Sequence, residues 1–344
     1  MLDDKLEKPF KVLSIDGGGI KGLYSATILQ HFEEKHDCLI SDYFDLLCGT
    51  STGGLIALAA SLRIPMKNIV EFYENKGPLI FPEYKKKKFL SRIFKQTITK
   101  GDIQQILKGG KYSDEPLRIA IQEVFGEAKI GDSYNYLCIP SYTITESRPF
   151  IFKKDHHDLD RDDRTTYVDV ALATTAAPTF FPLAEIPIYD YKQFIDGGVW
   201  ANNPTIVGLL EALKYFVNGN DYDSVNILSI SSLSMISGKP TGLKRNRSFL
   251  DWKSELFETS MIGQAKFTDY FMDHIPGFSK FPIHYFRVPS AEIASEQEIH
   301  IKLDVATPLA LQLIKGKGND IGLIYKKRPE ISGFFKNLKL SKIR

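Results

Sequence analysis

Residues Gly49-Thr50-Ser51-Thr52-Gly53 hold a serine between two glycines, with the apolar run Tyr43-Phe44-Asp45-Leu46-Leu47-Cys48 leading in and an Ala/Leu-rich helical pattern leading out. G-x-S-x-G in a strand-to-helix turn is a nucleophile elbow. The flanking glycines relieve crowding in the sharp turn, and the serine hydroxyl projects from the sheet edge at a helix N-terminus. Ser51 is the candidate nucleophile. The pentapeptide alone does not decide this, because a serine there can also act as a plain helix N-cap in a βα turn.

Two further glycine-bearing turns bracket the elbow. Lys11-Val12-Leu13-Ser14-Ile15 reads as a buried strand entering Asp16-Gly17-Gly18-Gly19-Ile20-Lys21-Gly22, after which Leu23 to Phe32 reads as a helix. Consecutive glycines at such a turn let backbone N–H groups converge on one concavity, and the following helix N-terminus adds positive potential, so the nest suits an oxyanion. Much later, Phe194-Ile195-Asp196-Gly197-Gly198 sets an acid and two glycines at another apolar strand end. Asp196 is the candidate base. A free carboxylate, with a pKa of about 3.9, is too weak to activate a hydroxyl, so the role requires burial beside the serine.

These residues resemble the patatin-like phospholipases over most of residues 10 to about 217. That family carries D-G-G-G-x-[RK]-G, G-x-S-x-G and D-G-[GA], and all three occur here in the family's order. Ala173-Thr174-Thr175-Ala176-Ala177-Pro178-Thr179-Phe180-Phe181-Pro182 is similar to the segment before the family's D-G-G, and Asn202-Asn203-Pro204 to the one after it. The resemblance implies a three-layer α/β/α fold with a central, mostly parallel sheet. It makes Ser51 and Asp196 a catalytic dyad and Gly17, Gly18 and Gly19 an oxyanion hole. Lys21 stands at the family's basic position, and Gly49, Gly53 and Gly197 support the turns. The implied activity is hydrolysis of fatty-acyl esters in membrane phospholipids without metal or cofactor. Some bacterial relatives are effectors switched on by cyclic nucleotides in anti-phage defence, and this chain resembles them more than the plant storage proteins. A cyclic oligonucleotide activator, peripheral membrane contact and a homo-oligomer are corresponding expectations, as is a catalytically silent lipid or nucleotide sensor of the same fold.

Two rival readings use the same residues. Gly17-Gly18-Gly19-Ile20-Lys21-Gly22 also satisfies G-x-G-x-x-G between strand and helix, but a dinucleotide site needs an acid ending a second strand about 20 residues on, and Asp37 precedes apolar Cys38-Leu39-Ile40 instead. An α/β-hydrolase triad could add His284 or His300 to Ser51 and Asp196 in the right chain order. That fold, however, builds several strands before its elbow, and one clear strand precedes Ser51. His156-His157 lies in a highly charged stretch that reads as a solvated loop.

A net charge of +2 gives no reason to expect DNA or RNA as a partner. The charged N-terminal Met1 to Lys8 segment is no secretion signal, and no apolar run is long enough to span a membrane, so a cytoplasmic location is expected. Cys38, Cys48 and Cys138 lie in apolar surroundings without metal-ligand spacing and read as free thiols. Lys85-Lys86-Lys87-Lys88 before Phe89-Leu90 suits an anionic lipid surface or a solvated helix face. Lys244-Arg245-Asn246-Arg247 is a second basic knot able to meet phosphates.

The remaining pattern alternates strand and helix. Ile64 to Asn75 and Leu117 to Phe125 read as helices, Leu137 to Ile144 and Phe150-Ile151-Phe152 as strands, with Pro140 tolerated near an edge or bulge. Asn203 before Pro204 reads as the cap of a helix through Phe216, and Val225 to Ile230 as a buried strand. Residues 10–232 form the expected catalytic core. Residues 233–344 read as a mainly helical part packed on it, with helical spacing in Phe249 to Met272, Pro308 to Ile314 and Asp320 to Tyr325.

Overall fold

A computed structural model describes residues 8–83, 110–219, 221–234, 241–242, 245–246, 252 and 255–339. Strand β1 (Pro9–Ile15) is buried from Phe10 onward, as a Phe/Val/Leu/Ile run covered on both faces must be. It lies between β2 (Leu46–Gly49) and β7 (Ser224–Ile230), parallel to both. β3 (Tyr136–Thr143) extends the sheet parallel to β2, while β4 (Arg148–Lys153), β5 (Ala184–Ile186) and β6 (Lys192–Asp196) join antiparallel.

Helices cover both faces. Leu13, Ile15 and Leu47 point to one face, where α1 (Gly22–His36), α2 (Thr52–Ser61), α3 (Met66–Ile80), α4 (Glu115–Phe125) and α5 (Tyr167–Thr175) pack. Phe10, Val12, Leu46 and Cys48, one residue out of phase, point to the other. There they meet α7 (Thr205–Glu211), which follows the short α6 (Gly198–Ala201), and the far end of α8 (Glu255–His274). The result is the α/β/α sandwich around a mostly parallel sheet.

Among its described residues the C-terminal part is mainly helical, and it also carries one strand. β8 (Ile283–Val288) pairs in parallel with β7 and so belongs to the central sheet. Leu233, Ile301, Ile314 and Phe334 enter the same core as α1. Pro308 to Tyr325 forms one continuous helix, α9, instead of two. Its glycines are where α9 presses on α1: a Cβ on Gly318 would come within 2.8 Å of Thr27 Cβ, and one on Gly322 within 2.4 Å of the His31 ring. A last helix, α10 (Pro329–Phe334), follows.

Pro140 lies inside β3, away from any sheet edge. β4 pairs with β3 along 138–143 on one side, so β2 (opposite 136–138) and β6 (opposite 141–143) must share the other. Pro140 falls in the gap between them, where no ladder bond is demanded of its missing N–H. Its carbonyl accepts from Thr174 Oγ1 at 2.6 Å. This exchange of neighbours matters for function, since β2 running one way and β6 the other bring Ser51 and Asp196 end to end.

Candidate active site

Ser51 follows β2 and caps α2 with φ 54° and ψ −123°, a strained conformation for a residue with a side chain. Such strain costs about 1–3 kcal/mol and persists where surrounding structure enforces it. Here close approach enforces it. A Cβ on Gly49 would lie 2.1 Å from Gly53 O, and one on Gly53 would lie 2.3 Å from Ile15 O, so the turn closes only with glycine at both positions. Ser51 N–H donates to Thr174 Oγ1 at 3.0 Å and Thr50 Oγ1 donates to Ala201 O at 2.6 Å, fixing the elbow against its neighbours.

Asp196 is 1 % exposed and ends β6. Burial pushes its carboxyl up to about 7, against hydrogen bonding from the Ser51 side chain and the Gly198 N–H, the latter at 2.6 Å. A base of that strength beside a serine can take its proton near neutral pH. Gly197 must lack a side chain because a Cβ there would sit 2.3 Å from Pro140 O.

The three loop glycines divide their work. Gly17 N–H already donates to Asn202 O at 2.9 Å, which removes it from the expected set of oxyanion donors. Its smallness is what counts, because a Cβ would lie 3.3 Å from Ser51 Cβ and 2.5 Å from Asn202 Oδ1. Gly18 and Gly19 N–H make no hydrogen bond among the described residues. Gly19 has φ +60° and abuts Leu303 O, and the next N–H, of Ile20, donates to Leu303 O at 2.8 Å. A Cβ on Gly18 would meet Ser232 Oγ at 2.0 Å.

Ser51 and Asp196 open on an apolar cavity whose walls include Phe72, Ile80, Phe181, Phe257 and Met261. Such an apolar volume suits an acyl chain. Among the described residues no histidine lines it. His284 is exposed on β8 and His300 half-buried elsewhere, so neither completes a triad here. Asp37 caps the C-terminus of α1 in the left-handed region, away from the strand end a dinucleotide site would need. Lys21 is buried on the far side of the glycine loop. The Lys85–Lys88 run, Lys244 and Arg247 lie outside the described residues, and Arg245 is exposed.

Residues 13–209 match the family model described as patatin-like phospholipase. The chain belongs to that family. Its fold and glycine-flanked serine are those of a serine hydrolase of the phospholipase type. It is 30% identical over 311 residues to a cGAMP-activated phospholipase of Pseudomonas aeruginosa, covering 90% of this chain and 87% of that one. A cGAMP-activated phospholipase of Vibrio cholerae is 32% identical over 221 residues, with 61% of this chain and 60% of that one covered. Patatin-like protein 2 of Oryza sativa subsp. indica is 34% identical over 231 residues, 61% of this chain and 54% of its own length.

Several supporting residues of this patatin-like site were not visible in the motifs. Arg287, on β8, grips Asp16 through Nη2 to Oδ2 at 2.5 Å and Nη1 to Oδ1 at 3.2 Å, and reaches Ser229 Oγ at 2.6 Å. Ser229 and Ser14 share Thr205 Oγ1, which donates to Asn203 Oδ1 at 2.6 Å. A buried polar chain thus ties the glycine loop to the segment after Asp196. Asn203 also accepts from Thr205 N, close to its expected capping role. His156 corrects the solvated-loop reading: it is buried, with Nε2 2.9 Å from Glu211 Oε1, beside Lys153.

The position of Asp196 sets a pH dependence. Activity should require the ionised carboxylate, so kcat/KM should climb about tenfold per pH unit below 7 and level off above it. For stability the sign is opposite. A carboxyl whose folded pKa exceeds its unfolded value stabilises the fold below about pH 4 and loses that contribution as pH rises through 7. Asp196→Asn should therefore melt higher than wild type at pH 8, by on the order of 4 kcal/mol at most, with the gain gone near pH 4. Calorimetry at both pH values checks it, and equal differences would contradict a buried, raised carboxyl.

Proposed function

We propose that the chain is a phospholipase A-type lipid acyl hydrolase working through Ser51 and Asp196 and held in check until a cyclic nucleotide binds. The observation that carries the catalytic part is a fully buried carboxyl, poised near neutral pH, against a serine at the mouth of an apolar cavity. Ser51 Oγ attacks the ester carbonyl as Asp196 accepts its proton, and the Gly18 and Gly19 amides hold the tetrahedral oxyanion. Asp196 then protonates the departing lysolipid alcohol. Water, activated by the same carboxylate, attacks the acyl-serine and releases the fatty acid. Substrate at a membrane surface requires peripheral contact, which the apolar cavity favours.

The regulatory part rests on the two bacterial relatives named above, both cGAMP-activated phospholipases. A messenger acts by binding the competent state more tightly than the resting one. Fatty-acid release from mixed phospholipid vesicles should be low in the isolated protein and rise at least about tenfold with the right cyclic di- or trinucleotide, a coupling of about 1.4 kcal/mol. High activity unchanged across a panel of such messengers would leave a constitutive hydrolase. No labelling of Ser51 by a fluorophosphonate probe under any condition would leave a silent sensor.

A further inference from the structure

Behind the glycine loop lies a second cleft that shares Met261 and Leu303 as walls with the catalytic cavity. The first cavity is apolar, whereas this one is lined by charge. Asp16 and Asp269 are committed: Asp16 to Arg287, Asp269 to the Tyr285 hydroxyl at 2.7 Å and to Arg287 Nε at 3.7 Å. Lys21 is not. It is 8 % exposed, and its ammonium makes no hydrogen bond or ion pair among the described residues. Glu258, on α8, is half-buried and likewise unpaired, acting on Lys21 from beyond contact distance. Ser232 Oγ and Asn202 Oδ1, both on this cleft, are buried without a partner.

Buried polar groups ordinarily find partners, because a donor or acceptor stripped of water and left unpaired is costly. The unmatched set here is one cation, one carboxylate, a hydroxyl and an amide oxygen. The cleft's cations, Lys21, Lys266 and Arg287, are balanced by Asp16, Glu258 and Asp269, so a purely anionic guest would leave Glu258 facing added negative charge. We propose that this cleft holds the zwitterionic head group of a glycerophospholipid, with the phosphodiester on Lys21 and Ser232 and the head-group ammonium on Glu258. The scissile acyl chain occupies the neighbouring apolar cavity, and the glycerol bridges the two past Met261 and Leu303. This assignment rests on the acyl-hydrolase reading of Ser51.

The test measures release of labelled fatty acid from tracer phosphatidylethanolamine or phosphatidylglycerol carried in vesicles of one fixed bulk composition, alongside a soluble p-nitrophenyl ester. Wild type should favour phosphatidylethanolamine by at least about tenfold in kcat/KM. Glu258→Gln should bring that preference within about twofold, and Lys21→Gln should lower the ratio of phospholipid to soluble-ester turnover about tenfold or more. The proposal fails if wild type has no head-group preference, or if Lys21→Gln lowers soluble and phospholipid substrates equally, which would make Lys21 a support of the loop. A cyclic dinucleotide that raises the Tm of wild type but not of Lys21→Gln would give the cleft to a regulator instead. Wild type inert toward the soluble ester as well, both alone and with every member of the cyclic-nucleotide panel, would sink the acyl-hydrolase reading itself.

Discussion

Ser51→Ala and Asp196→Asn should each lower kcat at least ~10³-fold while leaving a cooperatively folded protein, because serine and base act in one step and either removal disables it. Neither substitution opens the core. Ser51→Ala deletes one hydroxyl, and Asp196→Asn keeps the size of a side chain that can still accept from Gly198 N–H. Their double variant should fall little further than either single one, the signature of groups working as a unit. His284→Ala and His300→Ala should remain within a fewfold of wild type, since neither ring lines the cavity. Turnover of a soluble ester, with circular dichroism confirming the fold, decides it. A loss at either histidine matching that at Ser51 would replace the dyad with a triad.

The parts of this molecule legible in the sequence are those where chemistry and backbone geometry coincide on a few adjacent residues. Gly49 and Gly53 announce the elbow because backbone oxygens occupy the space a Cβ would need, and that constraint writes itself as glycine. Buried parallel strands likewise write themselves as apolar runs, so β1, β2 and β7 were readable from composition alone. What was not readable depends on pairing across distance. β8 carries His284, Tyr285 and Arg287 because it lies at the edge of the described sheet, and that mixed composition concealed a strand. Pro140 suggested an edge because the sequence cannot show that β3 changes partners beside it.

The same logic separates the two roles within the glycine loop. Three consecutive glycines look equivalent in sequence, yet Gly17 N–H is taken by Asn202 O, a residue 185 positions on. Gly19 needs its positive φ, and Gly18 needs space for Ser232. His156 misled for a related reason. Five of the surrounding residues from Asp155 to Asp163 are acidic, which reads as solvated, but Asp155 and Asp163 bind each other's backbone N–H groups and fold the loop so that His156 turns inward to Glu211.

Arg287→Leu should cost the most stability of any single substitution considered, about 3–5 kcal/mol, because it strands a fully buried Asp16 carboxylate without its bidentate partner. Burial already pushes Asp16 upward, and the Arg287 guanidinium is the main influence holding it down. Without that cation the folded pKa of Asp16 rises further above its unfolded value, so the variant's stability is best preserved at low pH and falls as pH increases. The deficit relative to wild type, read from urea unfolding, should thus be larger at pH 8 than at pH 5. Adding Asp16→Asn to Arg287→Leu removes the stranded charge and should recover part of the loss, an interaction that separate effects would not show. Catalysis supplies the second readout. Asp16 begins the loop that carries Gly18 and Gly19, so the single variant should lose kcat more than KM on a soluble ester at temperatures where it remains folded. A deficit independent of pH, with no recovery in the double variant, would mean that Arg287 merely fills space at the sheet edge.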